Sequence, residues 1–277
     1  MGKIAQEYTS EKILEFIKEP KDIFGFYFSV AKGKIKGYRA LKINGKNSDI
    51  DDVSEDLWEV GGTYVYPPAN GIQMSVQSSN ANDTAAGTGA RKVEIHYLDN
   101  NYIERDEEIT LNGLASVLTV ATNILRVNGI HSVSAGSNGS PVGNITLTNV
   151  AVTVTYTRLT AGSNTHKQAI FTVPLGKDFF VLAWGTGSGT PAGSRFVQFS
   201  LLATAHDDEG IIEVSDGLFH LWDETSSQDN DIFKKYAIPI YFPEKSDVKI
   251  SAISDAAAAN ASCSTLLGGI LIDNNLI

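Results

Sequence analysis

Five histidines, one cysteine and three acidic runs are the residues of this 277-residue chain most able to do chemistry. His96, His131, His166, His206 and His220 never stand two or four positions apart, so no strand or helix face carries a local pair of imidazole ligands. His206-Asp207-Asp208-Glu209 mixes imidazole with carboxylates, but it lies between two strand-like runs and reads as a polar hairpin loop. Asp49-Ile50-Asp51-Asp52 offers the hard oxygens that calcium takes. It lacks the Asp-x-Asp-x-Asp-Gly order and distal glutamate of an EF-hand loop, and a solvated acidic linker is the better reading. Asp223 to Asp231 is a second acidic, serine-rich loop.

Nucleophile and phosphate motifs are equally thin. Gly87-Thr88-Gly89-Ala90 and Gly185-Thr186-Gly187-Ser188-Gly189 lack a Gly-Lys-Ser/Thr ending and a following helix, so they read as flexible hairpin tips and not as phosphate cradles. No Gly-x-Ser-x-Gly elbow is present. A glycosidase would need two carboxylates set across a cleft, and no spacing singles out such a pair. The expectation is a protein that is not an enzyme, with no catalytic residue, metal ligand or cofactor assigned. Cys263 stands alone, which excludes an intrachain disulfide and a cysteine zinc site and fits folding in a reducing cytoplasm. No secretory n-region, h-region and cleavage series follows Met1, and no apolar run reaches the ~18 residues that span a bilayer.

Charge is uneven. The formal net charge of −10 disfavours nucleic acid and anionic membrane as partners of the whole molecule. Yet Lys32, Lys34, Lys36, Arg39, Lys42 and Lys46 lie in a stretch without an acid, followed by Asp49, Asp51, Asp52, Glu55, Asp56 and Glu59 without a base. Interleaved aromatics could stack single-stranded nucleic acid. Electrostatic docking onto an acidic protein neighbour is the stronger reading.

The elements that must position these residues are almost all strands. Ser10–Lys18 reads as a short capped helix with Ile13, Leu14 and Ile17 on one face and Phe16 nearby, stopped by Pro20. Such a helix is too short to persist alone and must pack on its own body or on a neighbour. Phe24–Val30 has high strand propensity, Lys34–Ile43 alternates with period two, and Asn44-Gly45 is a tight-turn signal. From Gly61 about twelve strands follow. Val93, Ile95 and Tyr97 alternate with Lys92, Glu94 and His96, marking one buried face. The resulting class is all-β, a β-sandwich or jelly-roll body with a short N-terminal helix and a small β element. The expected division is an anchor segment 1–58 and sandwich lobes 59–160 and 161–277, or one jelly-roll body over 59–277. Pro243–Ala252 and Leu267–Asp273 read as two strands of one hairpin.

Several blocks resemble, in shared order, a poorly characterised family of tailed-phage virion structural proteins. They are Asn47–Asp51, Glu55–Tyr64, Asp83–Ile95, Leu125-Arg126-Val127, Ser134–Ser137, Phe171-Thr172-Val173-Pro174-Leu175-Gly176-Lys177 and Pro243-Glu244-Lys245-Ser246-Asp247, together covering roughly residues 42–277. The resemblance implies a capsid decoration, cement or head-fibre-base protein, assembled in the host bacterial cytoplasm and located in the virion. Its expected partners are the major capsid protein or other virion proteins, and a homo-oligomer, a trimer first of all. Ile13, Phe16, Ile17, Lys32, Lys34, Lys36, Arg39 and Lys42 are the expected contact residues. The alternative is a tail or baseplate component with a carbohydrate-binding sandwich, for which Trp184, Trp222 and Tyr102 would be candidates.

Overall fold

The computed structural model describes residues 20–189, 196–228, 230–255 and 261–276. Helix α1 (Pro20–Ala31) leads into β1 (Tyr38–Ile50) and β2 (Glu55–Asp56). Next come β3 (Met74–Ser78), β4 (Ala90–Asp99), β5 (Glu104–Thr110), β6 (Val117–Leu118), β7 (Ile124–Ala135), β8 (Ile145–Asn149) and β9 (Thr155–Leu159). The remainder holds β10 (Ile170–Thr172), β11 (Lys177–Gly189), β12 (Val197–Ala203), β13 (Ala205–Asp208), β14 (Ile211–Val214), β15 (His220–Ser227), β16 (Asp231–Phe242), β17 (Asp247–Ser254) and β18 (Ala261–Asp273).

Two antiparallel sheets, β1-β18-β11-β16 and β10-β17-β12-β15, enclose the first core. Renumbering these eight strands one to eight in chain order gives sheets 1-8-3-6 and 2-7-4-5. That order is the double Greek key of a jelly roll. Period-two burial drives it: Val197, Phe199, Leu201 and Ala203 of β12 and Val248, Ile250 and Ala252 of β17 all point into the core, each large side chain contributing about 1.5–3 kcal/mol. The two C-terminal segments expected as one hairpin, β17 and β18, lie instead in opposite sheets and face each other across this core. The chain-local pairing gave way to burial from both sides.

The second strand of the roll is split. β2 pairs with β17 through Glu55 and Asp56, and Leu57 N–H donates to Ile250 O at 2.9 Å. The strand line then resumes with Ala169, whose N–H donates to Leu57 O at 2.8 Å, and continues into β10. Between these points the chain leaves and returns through a Trp58–Gln168 bridge. Residues 59–167 form a second sandwich, with sheets β6-β3-β8-β9 and β5-β4-β7 around Met74, Val76, Val93, Ile95, Ile130, Ile145 and Leu147. Residues 38–57, grouped by sequence with an N-terminal anchor, are therefore built into the jelly roll. Asn44-Gly45 is not a turn but the interior of β1. A Cβ on Gly45 would stand 2.5 Å from both Ala169 Cβ and Leu57 O, so glycine admits β1 against the split strand.

Three more expectations change. Phe24–Val30 is helical, not extended. Pro20 opens α1 where its missing N–H costs nothing. Gly33 (φ 64°) closes it: Gly33 N–H donates to Val30 O and Lys34 N–H to Ser29 O, both at 2.9 Å, the paired bonds of a glycine C-terminal stop. Apolar residues at 23, 26, 27 and 30 carried that helical period. The run Asn144–Tyr156 is two strands, β8 and β9, joined by a turn with Val152 at φ 56°. Nor are the glycine-rich runs loose tips. Gly185–Gly189 lies in β11, and the Gly87–Gly89 loop folds around buried Asp83, where a Cβ on Gly89 would stand 2.0 Å from Asp83 Oδ1.

Candidate interaction surface

Of the expected contact residues, Ile13, Phe16 and Ile17 lie outside the described residues. The basic ones cluster where α1 meets β1. Val30 is buried and Phe26 packs edge-to-face on Tyr38 with ring centroids 5.6 Å apart, so one side of α1 rests on the start of β1. Tyr27 and Phe28, 40% and 63% exposed, face away from the body. Lys32, Lys34 and Lys36 are exposed along the connection, and the cationic side chains that follow a helix C-terminus suit its dipole. Gly37 (φ 78°) lets the chain turn against Leu276 and Asp273 before β1 begins.

Arg39 and Lys42 are both exposed on β1. Arg39 differs from the lysines because it is committed to Glu104 at 2.5 Å, tying the two sandwiches across the surface. β1 is an outer strand of its sheet, paired only with β18 among the described residues. Lysines on such a strand also keep its free edge from pairing with another chain. The surface thus combines exposed aromatics, a cationic connection and a charged edge within one continuous segment, residues 27–42.

The acidic run that follows is largely structural. Asp56 is buried, accepting from Tyr64 N–H at 2.7 Å and Ser251 hydroxyl at 2.6 Å, with Lys249 Nζ 3.0 Å away. Glu55 accepts from Asn47 and from Gly62 N–H, and Glu59 pairs with Lys167 at 3.4 Å. Asp49 and Asp52 are exposed and Asp51 is half-buried, but Asp49 and the wholly buried Ile50 end β1, so the stretch expected as a solvated linker is in part a core strand.

A groove of about 630 Å³ crosses the outer face of the β1-β18-β11-β16 sheet. Gly185 and Gly187 lie in its floor, Phe233 and Asp231 on one side, and Thr165 to Lys167 of the second sandwich form a wall. The aromatics named for glycan binding are elsewhere. Trp184 is buried and donates to Thr265 Oγ1 at 3.0 Å; Trp222 donates to Ala205 O at 2.7 Å. Tyr102 lies beside the Arg126 and Lys245 cations.

Blocks far apart in sequence meet where the sandwiches join. Arg126 grips Asp247 with two bonds of 2.9 Å, Thr172 hydroxyl donates to the same carboxylate at 2.5 Å, and the guanidinium stacks 4.7 Å from the Tyr66 ring centroid. Val173 N–H donates to Ser246 O, Lys245 N–H to Val173 O, and Gly176 N–H to Glu244. Such a bidentate, buried pair fixes orientation as much as it stabilises.

Two histidine groupings were invisible in the sequence. His206 and His220 stack 4.8 Å apart, with Ser215 Oγ 3.0 and 3.3 Å from their ring nitrogens. Of the run expected as a loop, His206, Asp207 and Asp208 are paired residues of β13 and only Glu209-Gly210 turn the hairpin, with Asp207 Oδ1 accepting from Gly210 N–H at 2.9 Å. The other grouping, Glu94, His96 and His131, is assembled by strand register. Burial pushes the Cys263 thiol up to about 12, leaving it a small buried hydrophobe.

No protein-family model matches this chain, and no curated protein matches it. Among solved structures it is similar to that of infectious bursal disease virus Gt strain, at 10% identity and a TM-score of 0.22, covering 85% of this chain and 71% of that one. The same virus, Gx strain, gives 8% identity and 0.21 over 85% and 70%. Its VP2 subviral particle gives 12% identity and 0.17 over 86% and 72%. Overlaps of that size define no shared fold; the jelly roll of this chain is defined by its own strand order. No helix among the described residues is long and apolar enough to cross a membrane.

Proposed function

We propose that this chain is a non-enzymatic structural component of a tailed-phage virion, a capsid decoration, cement or head-fibre-base protein that binds the major capsid protein. The observation that carries the reading is the strand order 1-8-3-6 and 2-7-4-5, an architecture used by viral capsid domains. Because a fold hosts many functions, this is an analogy, and the sequence resemblance narrows it. Three blocks of that resemblance, at Arg126, Phe171–Lys177 and Pro243–Asp247, interlock at the joint between the sandwiches. In this reading α1 and the Lys32–Lys42 segment face the capsid, and the second sandwich projects outward. Repetition of a weak contact over a symmetric shell supplies avidity, and trimers suit threefold positions.

The test uses the full chain with Phe28→Ala, Lys32→Glu, Lys34→Glu and Lys36→Glu together, all at exposed positions. Cosedimentation with particles assembled from the cognate major capsid protein should fall at least tenfold. Binding equal to wild type would refute this docking face. The second reading, a tail or baseplate component that binds carbohydrate, is favoured by the glycine-floored groove beside Phe233. A glycan array with hits abolished by Phe233→Ala would establish it instead.

A further inference from the structure

The outward face of the β5-β4-β7 sheet carries a compact set of ligand atoms. Glu94 and His96 stand two apart on β4 and so share a face, and Glu94 is directly opposite His131 on β7. The His96 and His131 rings stack 4.9 Å apart with 13° between their planes. His96 Nε2 lies 2.9 Å from His131 Nδ1, and Glu94 Oε1 lies 3.7 Å from the Nε2 of both rings. Across the other strand, Asp106 of β5 is opposite His96, with Oδ1 2.5 Å from His96 Nδ1. One ligand atom from each of Glu94, His96 and His131 falls within 4.8 Å of the other two.

Proton bookkeeping shows what this arrangement lacks. In the tautomer that donates Nδ1–H to Asp106, His96 keeps a lone pair on Nε2. With the His131 proton on Nε2, its Nδ1 lone pair stands 2.9 Å from that of His96 Nε2. In that tautomer no proton separates the two ring lone pairs, and Glu94 Oε1 lies 3.7 Å from the Nε2 of each ring. Three electron-rich atoms facing one place form a cation site.

We propose that Glu94, His96 and His131 bind one divalent transition-metal ion of the zinc class, with Asp106 as the carboxylate that orients His96. Two imidazoles and a carboxylate are borderline ligands that suit zinc, nickel or copper; calcium and magnesium take oxygen instead. Tetrahedral coordination at ~2.0–2.1 Å sets two ring nitrogens roughly 3.3 Å apart, so the 2.9 Å pair need open only slightly. The three side chains are 25–37% exposed, which permits that small rotation and gives an ion access. The fourth position falls to water. The ion would clip β4 to β7, and the Asp106–His96 bond repeats the carboxylate–histidine–metal relay that holds ligating rings in place.

The experiment is calorimetric titration of zinc chloride into the chelator-stripped full chain, with cobalt(II) visible absorption to report the ligand set and magnesium as a control. One zinc per chain is expected, with cobalt bands of nitrogen–oxygen coordination and no response to magnesium. Binding should vanish in His131→Ala and weaken about 10- to 100-fold in Asp106→Asn. Absence of zinc binding in the wild-type chain overturns the proposal, as does wild-type stoichiometry and affinity in a folded His131→Ala. Should His131→Ala not fold, Glu94→Gln preserves size at a partly exposed position; unchanged affinity there overturns the proposal equally.

Discussion

Asp83 is wholly buried, and among the described residues no cation pairs with it. Its Oδ1 accepts from Ala90 N–H at 2.8 Å and Val142 N–H at 2.9 Å; its Oδ2 accepts from the Ser78 hydroxyl at 2.6 Å and Gly143 N–H at 2.8 Å. Four donors from three separate segments thus converge on one carboxylate, which ties the Gly87–Gly89 loop to β3 and the start of β8. In Asp83→Asn an amide nitrogen replaces one oxygen. On the Oδ1 side it would confront two backbone N–H groups. On the Oδ2 side it confronts one, because the Ser78 hydroxyl can rotate to accept. The cheaper orientation still strands Gly143 N–H, at about 1–3 kcal/mol. The two bonds kept at Oδ1 lose their charge assistance, about 1 kcal/mol each, while the neutral amide recovers part of the cost of burying a charge. The net expectation is roughly 2–4 kcal/mol of destabilisation, with Asp83→Ala costing more and Ser78→Ala about 1 kcal/mol. Urea unfolding followed by far-UV circular dichroism gives the free energies, and hydrogen exchange at the amides of 90, 142 and 143 localises them. An Asp83→Asn protein within about 0.5 kcal/mol of wild type, with those amides still protected, would refute the reasoning.

Two further predictions rest on half-buried His166 and buried Cys263. Burial drives the His166 pKa down from 6.5 to about 4, against a smaller opposing bond to Ile130 O. The unfolded chain therefore takes up this proton below pH 6.5 while the folded chain refuses it until about pH 4, so stability falls by about 3 kcal/mol across that window. Unfolding free energies at pH 7, 5.5 and 4.5 with chelator present should show the slope, and a His166→Asn protein with an undiminished slope would contradict it. Cys263 should not react with a thiol-specific disulfide reagent in the folded chain and should titrate as one thiol in urea; rapid reaction of the folded protein would show that the β18 core is open.

What the sequence revealed was what burial alone decides. Alternation placed β4 on the correct faces, because period-two patterns report one apolar side whatever the partner strand. It failed where the partner decides. Asn44-Gly45 carries a turn signature, yet the glycine answers to Ala169 and Leu57, residues brought there by the split strand. The pairing of β1 with β18 joins opposite ends of the described chain, which no local window contains. The Glu94–His96–His131 grouping was hidden for the same reason: a one-residue slip between β4 and β7 would send His131 to the other face, and register is not written in spacing. Helix α1 is the opposite case, where its helical period was present and aromatic strand propensity was given too much weight.

The split second strand of the jelly roll also orders events during synthesis. Residues 59–167 emerge from the ribosome as a contiguous unit with a core of their own, so they can fold while the rest of the roll is still being translated. β1 and β2 emerge earlier but must wait, since their partners β18 and β17 follow the second sandwich in the chain. The roll therefore closes only after β18 has been translated, around a domain already complete. Its folding is dominated by long-range pairing and should be the slow step of maturation. A truncated translation product would carry a finished second sandwich on an unfinished, adhesive roll, and quality control would meet that species first.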